Sequence, residues 1–227
     1  MALNPIEGQP GLFRDTDTGN VVNIRDFRES DKWDSIALPA NAPPVNPGVS
    51  FGTELVFFQN IQNKRDLDTN IKTPRKLSAG ESMVLDRIGL YARSAVGNVT
   101  TLPRDVKKVF EDAYYRLSVN DILQDEGPAI KFPSGYGLYG QTTENDTGII
   151  SIGVPATASA SRLAKKQLLN QNHELSGFLR FDQRSWLVGD NDGLGPMSGD
   201  TIVPPVLENG LIVVNFLHGL IRSAVTK

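Results

Sequence analysis

The sequence predicts an all-β fold on three observations. From Leu55 onward, short apolar runs such as "LVFF", "MVLDRIGLYA", "AYYRLSV", "AIKF", "GIISIGV", "GFLRF", "TIVPPVL" and "LIVVNFLHGLI" alternate with turn-forming residues. Glycine and proline number 21 and 14, a supply that favours many turns over long helices. In Ala113 to Asn120, the apolar set Ala113, Tyr115, Leu117 and Val119 alternates with Tyr114, Arg116, Ser118 and Asn120, giving one buried and one wetter sheet face.

Taken in chain order, residues 1–50 read as an extended N-terminal arm. The prolines of "LPANAPPVNPG" (38–48) remove backbone donors, so that stretch suits neither a helix nor a central strand. Apolar residues such as Leu12, Phe13, Val22, Phe27, Trp33 and Ile36 are more than a solvated tail needs, so the arm is expected to lie on its own domain or on a neighbour. Leu55 to Phe58 then reads as a buried strand, and Asn60 to Asn70 as a polar connection in which Asp68, Thr69 and Asn70 shape a turn through side-chain-to-backbone bonds.

Two segments carry helical signals. Thr101 suits a cap for "TLPRDVKKVFEDA", with Pro103 in the first turn and Val106, Val109, Phe110 and Ala113 at i, i+3, i+4 and i+7. "SASRLAKKQLLNQN" is rich in helix formers, with Leu163, Ala164 and Leu168 spaced for one face. In "LIVVNF" both alternate sets are apolar, which predicts a central strand covered on both faces.

About eight runs follow the arm, which fits a single eight-stranded jelly-roll β-sandwich over residues 51–227 with two short helical insertions. A double roll would need about twice the strands. An immunoglobulin-like sandwich lacks support from any Cys-Trp-Cys pattern, since the chain has no cysteine.

The inventory of reactive residues is thin. Without cysteine there is no disulfide framework, thiol nucleophile or thiolate metal site. The two histidines, His173 and His218, would need a carboxylate such as Glu174 to build a metal site, and no Gly-x-Ser-x-Gly elbow marks a nucleophile. The simpler reading is one surface histidine and one packing or hydrogen-bonding histidine. Asp190, Asp192 and Asp200 gather in "GDNDGLGPMSGD" with chemistry a calcium ion accepts, but the EF-hand spacing fails and an acidic turn is the simpler reading. "FPSGYGLYG" (132–140) lacks the ending of a phosphate loop. Its glycines suit close strand approach and its Tyr136 and Tyr139 suit packing across an interface, with an aromatic sugar platform as the rival.

A formal net charge of −3 argues against general attraction to nucleic acid. The small basic clusters "NKR" (63–65), "TPRK" (73–76), "RDVKK" (104–108) and "AKK" (164–166) read as solvated faces. Sequons at Asn98 and Asn145 lose force without a secretion signal, and "MALNPIEGQPGLFRDTDTG" has none. No apolar run approaches the length of a membrane span, so the expectation is a chain made in the cytoplasm.

The passages "ELVFFQNIQNKRDLDTNI", "LSAGESMVLDRIGLYA" and "YYRLSVNDILQDEGPAIKFPSGYG" resemble strand-loop-strand stretches of the jelly-roll major capsid proteins of icosahedral viruses, tailless bacteriophages among them. The resemblance covers roughly residues 50–223 loosely and is architectural, so it transfers no catalytic, cofactor-binding or metal residue. It implies a structural protein of the virion, not an enzyme, that assembles through jelly-roll packing and arm exchange without cofactor or small-molecule substrate. The implied partners are other copies of the chain, with a second coat or vertex protein and weak contact with packaged nucleic acid or an internal membrane as further candidates. The alternative is a jelly-roll carbohydrate-binding or receptor-binding module using Trp186, Tyr136 or Tyr139 for stacking.

Overall fold

Backbone pairing, more than any residue preference, decides how these segments assemble. The computed structural model describes residues 3–16, 18–23, 26–38, 54–95, 103–134, 138–141, 149–152, 160–181 and 211–222. Three short strands, β1 (Leu3–Pro5), β2 (Leu12–Asp15) and β3 (Val21–Asn23), form a small antiparallel sheet. They are followed by β4 (Arg28–Leu38), β5 (Glu54–Phe57), β6 (Ser82–Ser94), α1 (Pro103–Asp112), β7 (Ala113–Val119) and β8 (Ile122–Pro128). A 3-10 turn at Ala129–Lys131 leads on to β9 (Leu138–Gln141), β10 (Ile149–Ile152), β11 (Ser161–Asn170), β12 (Leu175–Phe181) and β13 (Leu211–Arg222). The fold is all-β.

Two four-stranded sheets, ordered β11-β6-β13-β4 and β5-β12-β7-β8, carry the core. Their pairings are antiparallel and nested: β4 with β13, β5 with β12, β6 with β11, and β7 with β8. The innermost pair is a tight hairpin whose turn residues Asn120 and Asp121 both have positive φ, 50° and 61°, the backbone of a type I′ turn. Two further pairings, β13 with β6 and β12 with β7, close the sheets. Apolar residues from both sheets, including Leu85, Leu217, Phe57, Tyr115 and Leu179, form one core cluster. The rings of Tyr115 and Phe132 meet edge-on at 4.9 Å within it.

Several expectations hold. Helix α1 buries Val106, Val109 and Phe110 and hands over directly to β7, in which Tyr115, Leu117 and Val119 are buried. β13 is a central strand, and Val214 and His218 on its outward set are buried as well as the core-facing Val213 and Leu217. β5 lies where a strand was expected but ends at Phe57, one residue early, because Phe58 leaves the strand at φ 67° with its ring still in the core.

Three expectations change. The segment "SASRLAKKQLLNQN" is no helix: Ser161–Asn170 is strand β11, with Leu163 and Leu169 buried and Ala164 exposed. Helix propensities of Lys, Gln, Ala and Leu differ by only about 0.5 kcal/mol per residue and a helix of this length is marginal alone, so the open ladder of β6 decides the outcome. Arg28–Leu38, inside the expected arm, is β4, an integral strand paired along its length with β13. The eight strands of the two sheets also differ in membership from the eight apolar runs: "AIKF" is a 3-10 turn running into Phe132, and Ile149–Ile152 belongs to a separate two-stranded β10-β9 ribbon. β4, β8 and β11 are sandwich strands that none of those runs anticipated. "TIVPPVL", the sequons at Asn98 and Asn145, most of "LPANAPPVNPG" and the loop holding Asp190, Asp192 and Asp200 lie outside the described residues.

The position of β4 makes truncation informative. Removal of residues 1–23 is expected to leave a cooperative thermal melt by circular dichroism, whereas removal of residues 1–38 strips the β4 ladder from β13 and is expected to abolish it.

Candidate functional site

β4 ends its sheet, and an edge strand with bare N–H and C=O groups invites pairing with another chain. Here the "DTN" of the polar connection closes it. Asn70 accepts from Trp33 N–H at 2.8 Å and donates its side-chain amide to the Asp31 carbonyl at 2.9 Å. Its own backbone N–H donates to the Trp33 carbonyl at 3.2 Å, which also accepts from the Thr69 hydroxyl at 3.2 Å. Asp68 anchors this segment, accepting from Arg65 Nε at 2.9 Å and from Arg93 of β6. The hydrogen bond from Arg65, with the charges of Arg65 and Arg93, holds the Asp68 carboxyl below the usual range against the opposing effect of burial.

The floor of the outer sheet face is set by a bulge. In the β6–β13 ladder Arg87 opposes His218 and Leu85 opposes Gly219; in the β6–β11 ladder Arg87 opposes Arg162 and Leu85 opposes Gln167. Asp86 is skipped on both sides, and such an extra residue re-aims its side chain. Gly219 permits the close approach of the backbones, because a Cβ there would stand 2.1 Å from the Val84 carbonyl oxygen. The Asp86 carboxylate lies 3.3 Å from Arg87 Nε, 3.6 Å from Arg162 Nε and 3.8 Å from Lys166 Nζ. Its Oδ1 is buried and accepts no hydrogen bond among the described residues.

Around this bulge opens a depression of about 440 Å³ lined by Glu29, Asp31, Asp86, Arg87, Lys166 and His218, among others. The sheet contributes from all four strands, so the groove crosses it. Glu29 and Asp31 line it from β4 and Asp86 from β6, while Arg87 of β6 and Lys166 of β11 supply the cations. His218 borders the groove with its ring stacked at 14° on Phe216, Nδ1 3.1 Å from Asp31 Oδ1 and Nε2 3.0 Å from the Ser134 carbonyl oxygen.

The two histidines do not share a site. His173 is buried in the β11–β12 turn, where Nδ1 accepts from Asn170 N–H at 3.0 Å, and Glu174 beside it pairs with Arg75 at 2.8 Å. No group of three His, Asp or Glu side chains is placed to hold a metal ion among the described residues. In the "NKR" and "AKK" clusters, cations answer carboxylates of the same chain: Lys64 meets Asp34 at 2.8 Å, Arg65 meets Asp68, and Lys166 meets Asp86. In "FPSGYGLYG", Phe132 is core and Leu138–Gly140 lies in β9, while Tyr136 is outside the described residues, as is Trp186.

Asp31, Asp86 and the role of His218 carry no direct local sequence signal: His218 meets Asp31 and Ser134 across 187 and 84 positions, and Asp86 meets Arg162 and Lys166 across 76 and 80, contacts that only strand pairing creates. The signal within reach was the "HGL" that interrupts the apolar run of β13, a glycine in a strand that marks a bulge. Comparison of the chain with protein-family models, curated proteins and solved structures finds no match.

Two outcomes test the edge closure. Asn70→Ala is expected to cost about 1–3 kcal/mol in urea unfolding, because Trp33 N–H and the Asp31 carbonyl each lose a partner. Asp68 has a folded-state pKa below its unfolded value, so its contribution is complete above the unfolded carboxylate range, near about pH 4, and fades as pH falls through the folded value. The stability gap between the wild type and Asp68→Asn is therefore expected to close on acidification from neutral pH, read by urea midpoints.

Proposed function

We propose that the chain is a coat protein whose eight sandwich strands form a jelly roll, and that copies of it assemble into a closed icosahedral shell. One observation carries the reading: the nested pairing order. Numbered in chain order from β4, the eight strands pair first with eighth, second with seventh, third with sixth and fourth with fifth. That is the order produced by rolling one long antiparallel hairpin into two facing sheets, the winding of an eight-stranded roll.

The reading joins this order to the likeness of "ELVFFQNIQNKRDLDTNI" and its companion passages to capsid jelly rolls. A fold does not by itself name an activity. What suits this one to repetition is that three of its four edge strands are managed: β4 is covered by Asn70 at Asp31 and Trp33, β8 carries a register shift near Leu117 and Ser118 with Pro128 at its end, and β11 carries the shift at Arg162 to Gln167. Association through open sheet edges is thereby discouraged, leaving loops and the N-terminal segment to make many small contacts that act together in a closed assembly. The arm in this reading shortens to the residues before Arg28. Its compartment is the virion, and its partners are other copies, with a second coat or vertex protein as a further candidate.

Electron microscopy of the purified protein tests the proposal. Closed shells or regular two-dimensional arrays are expected, and loss of residues 1–23 is expected to prevent closure without unfolding the sandwich. Discrete small oligomers with specific glycan affinity would overturn it in favour of a carbohydrate-binding module.

A further inference from the structure

The segment after the 3-10 turn passes from the core to the outer face around the side of β6. Phe132 is fully buried against Tyr115, and its carbonyl accepts from Leu90 N–H at 2.8 Å. Pro133 forms an isolated bridge with Leu90, beyond Ile88, where the β11 ladder on that side of β6 ends. Ser134 then lies over Gly89, where a Cβ would stand 2.6 Å from the Ser134 Cα, so only glycine lets the segment settle. The far end of this crossing is held by His218 through the Ser134 carbonyl.

We propose that His218 is a proton-operated latch fastening residues 132–134 across the sheet, closed when both ring nitrogens carry protons and released when one is lost. The argument is hydrogen-bond chemistry. A carbonyl oxygen only accepts, so Nε2 must donate to Ser134; an ionised carboxylate only accepts, so Nδ1 must donate to Asp31. The ring that meets both is the imidazolium, pinning β13 to β4 and to the crossing segment at once. A neutral ring that kept the Ser134 bond would set the Nδ1 lone pair against the Asp31 carboxylate at 3.1 Å, so the single remaining proton stays in the stronger, charge-assisted bond to Asp31 and Ser134 is released.

The charges facing this ring come from three strands. Asp31 and Glu29 of β4 and Asp86 of β6 favour the charged ring, while Arg87, its ladder partner on β6, and Lys166 of β11 oppose it. Asp31 is the one of these in direct contact with the ring, at 3.1 Å. The Phe216 ring stacks on the imidazole. The groove that His218 and Asp31 line gives solvent protons a route to the site.

Hydrogen–deuterium exchange at the Leu90 amide reads the latch, because that N–H is exposed when the Phe132 carbonyl lifts away. After correction for intrinsic exchange, its protection is expected to fall on the order of tenfold between about pH 5.5 and about pH 8.5, the span in which a charge-assisted bond to histidine is lost. Asp31→Asn is the deciding variant. Its amide can donate to an unprotonated Nδ1, so protection is expected to stay high and flat across the same range. A flat wild-type profile would overturn the proposal, as would an Asp31→Asn profile that falls like the wild type. Wild-type imidazole NMR signals that stay unmoved across the range measured would overturn the proposal as well.

Discussion

A buried carboxylate, Asp34, joins the parts of this molecule that the chain separates. It is fully buried on β4, where it opposes Asn215 of β13 across the ladder. One oxygen accepts from Phe58 N–H at 2.6 Å, at the residue where β5 turns out of the other sheet, and the second meets Lys64 Nζ at 2.8 Å. Lys64 also donates to the Ser35 carbonyl. A charge so placed is tolerable only with all these partners present, which makes it a device for fixing arrangement more than a source of net stability. The two sheets and the connection that seals the β4 edge are therefore set by one group.

Asn215 extends the polar tie through the sandwich. Its side-chain amide donates to the Tyr115 hydroxyl at 2.5 Å, and Gly177 of β12 leaves room for it, since a Cβ there would stand 2.8 Å from Asn215 Nδ2. Burial pushes the Tyr115 hydroxyl well above its ordinary range, so it remains neutral in the core. At the end of β4 nearer the groove, Lys32 and Glu81 make a second tie at 2.9 Å. Burial works to raise the Glu81 carboxyl, but the Lys32 hydrogen bond and charge, with Ser78, more than offset it and leave it lowered. Polar links at successive points along β4 and β13 hold the register, while the apolar faces around them supply the driving force for burial.

The same pairing explains where special geometry collects. β6 lies between two partners and its register breaks at Asp86 against both: it has one residue too many for β13, while β11 loops out residues 163–166 opposite the same point, so the Asp86 bulge, the Gly219 approach and the outer groove gather at one place. Where the β11 ladder ends, Leu90 is left to pair with the 132–133 crossing, which brings Ser134 to His218. Edge closure and latch thus arise from places where a regular ladder runs out.

Much of the all-β character was legible because it rests on local patterns: strict alternation in Ala113–Val119, double-sided apolarity in Leu211–Phe216, and helix spacing in Val106, Val109 and Phe110. Those patterns follow from how successive side chains point along a strand or a helix, which the chain encodes locally. "SRLAKKQLLN" was misleading because its propensity is weak and β6 supplied a stronger competitor for its backbone. Asp34, Asp86 and His218 gained their roles from partners 24 to 187 positions away, as with Phe58 for Asp34 and Asp31 for His218. The amino-acid sequence alone determined which segments extend and which faces are apolar; the tertiary structure alone decided which strands became neighbours, because partner choice depends on hydrogen bonds closed between distant parts of the chain.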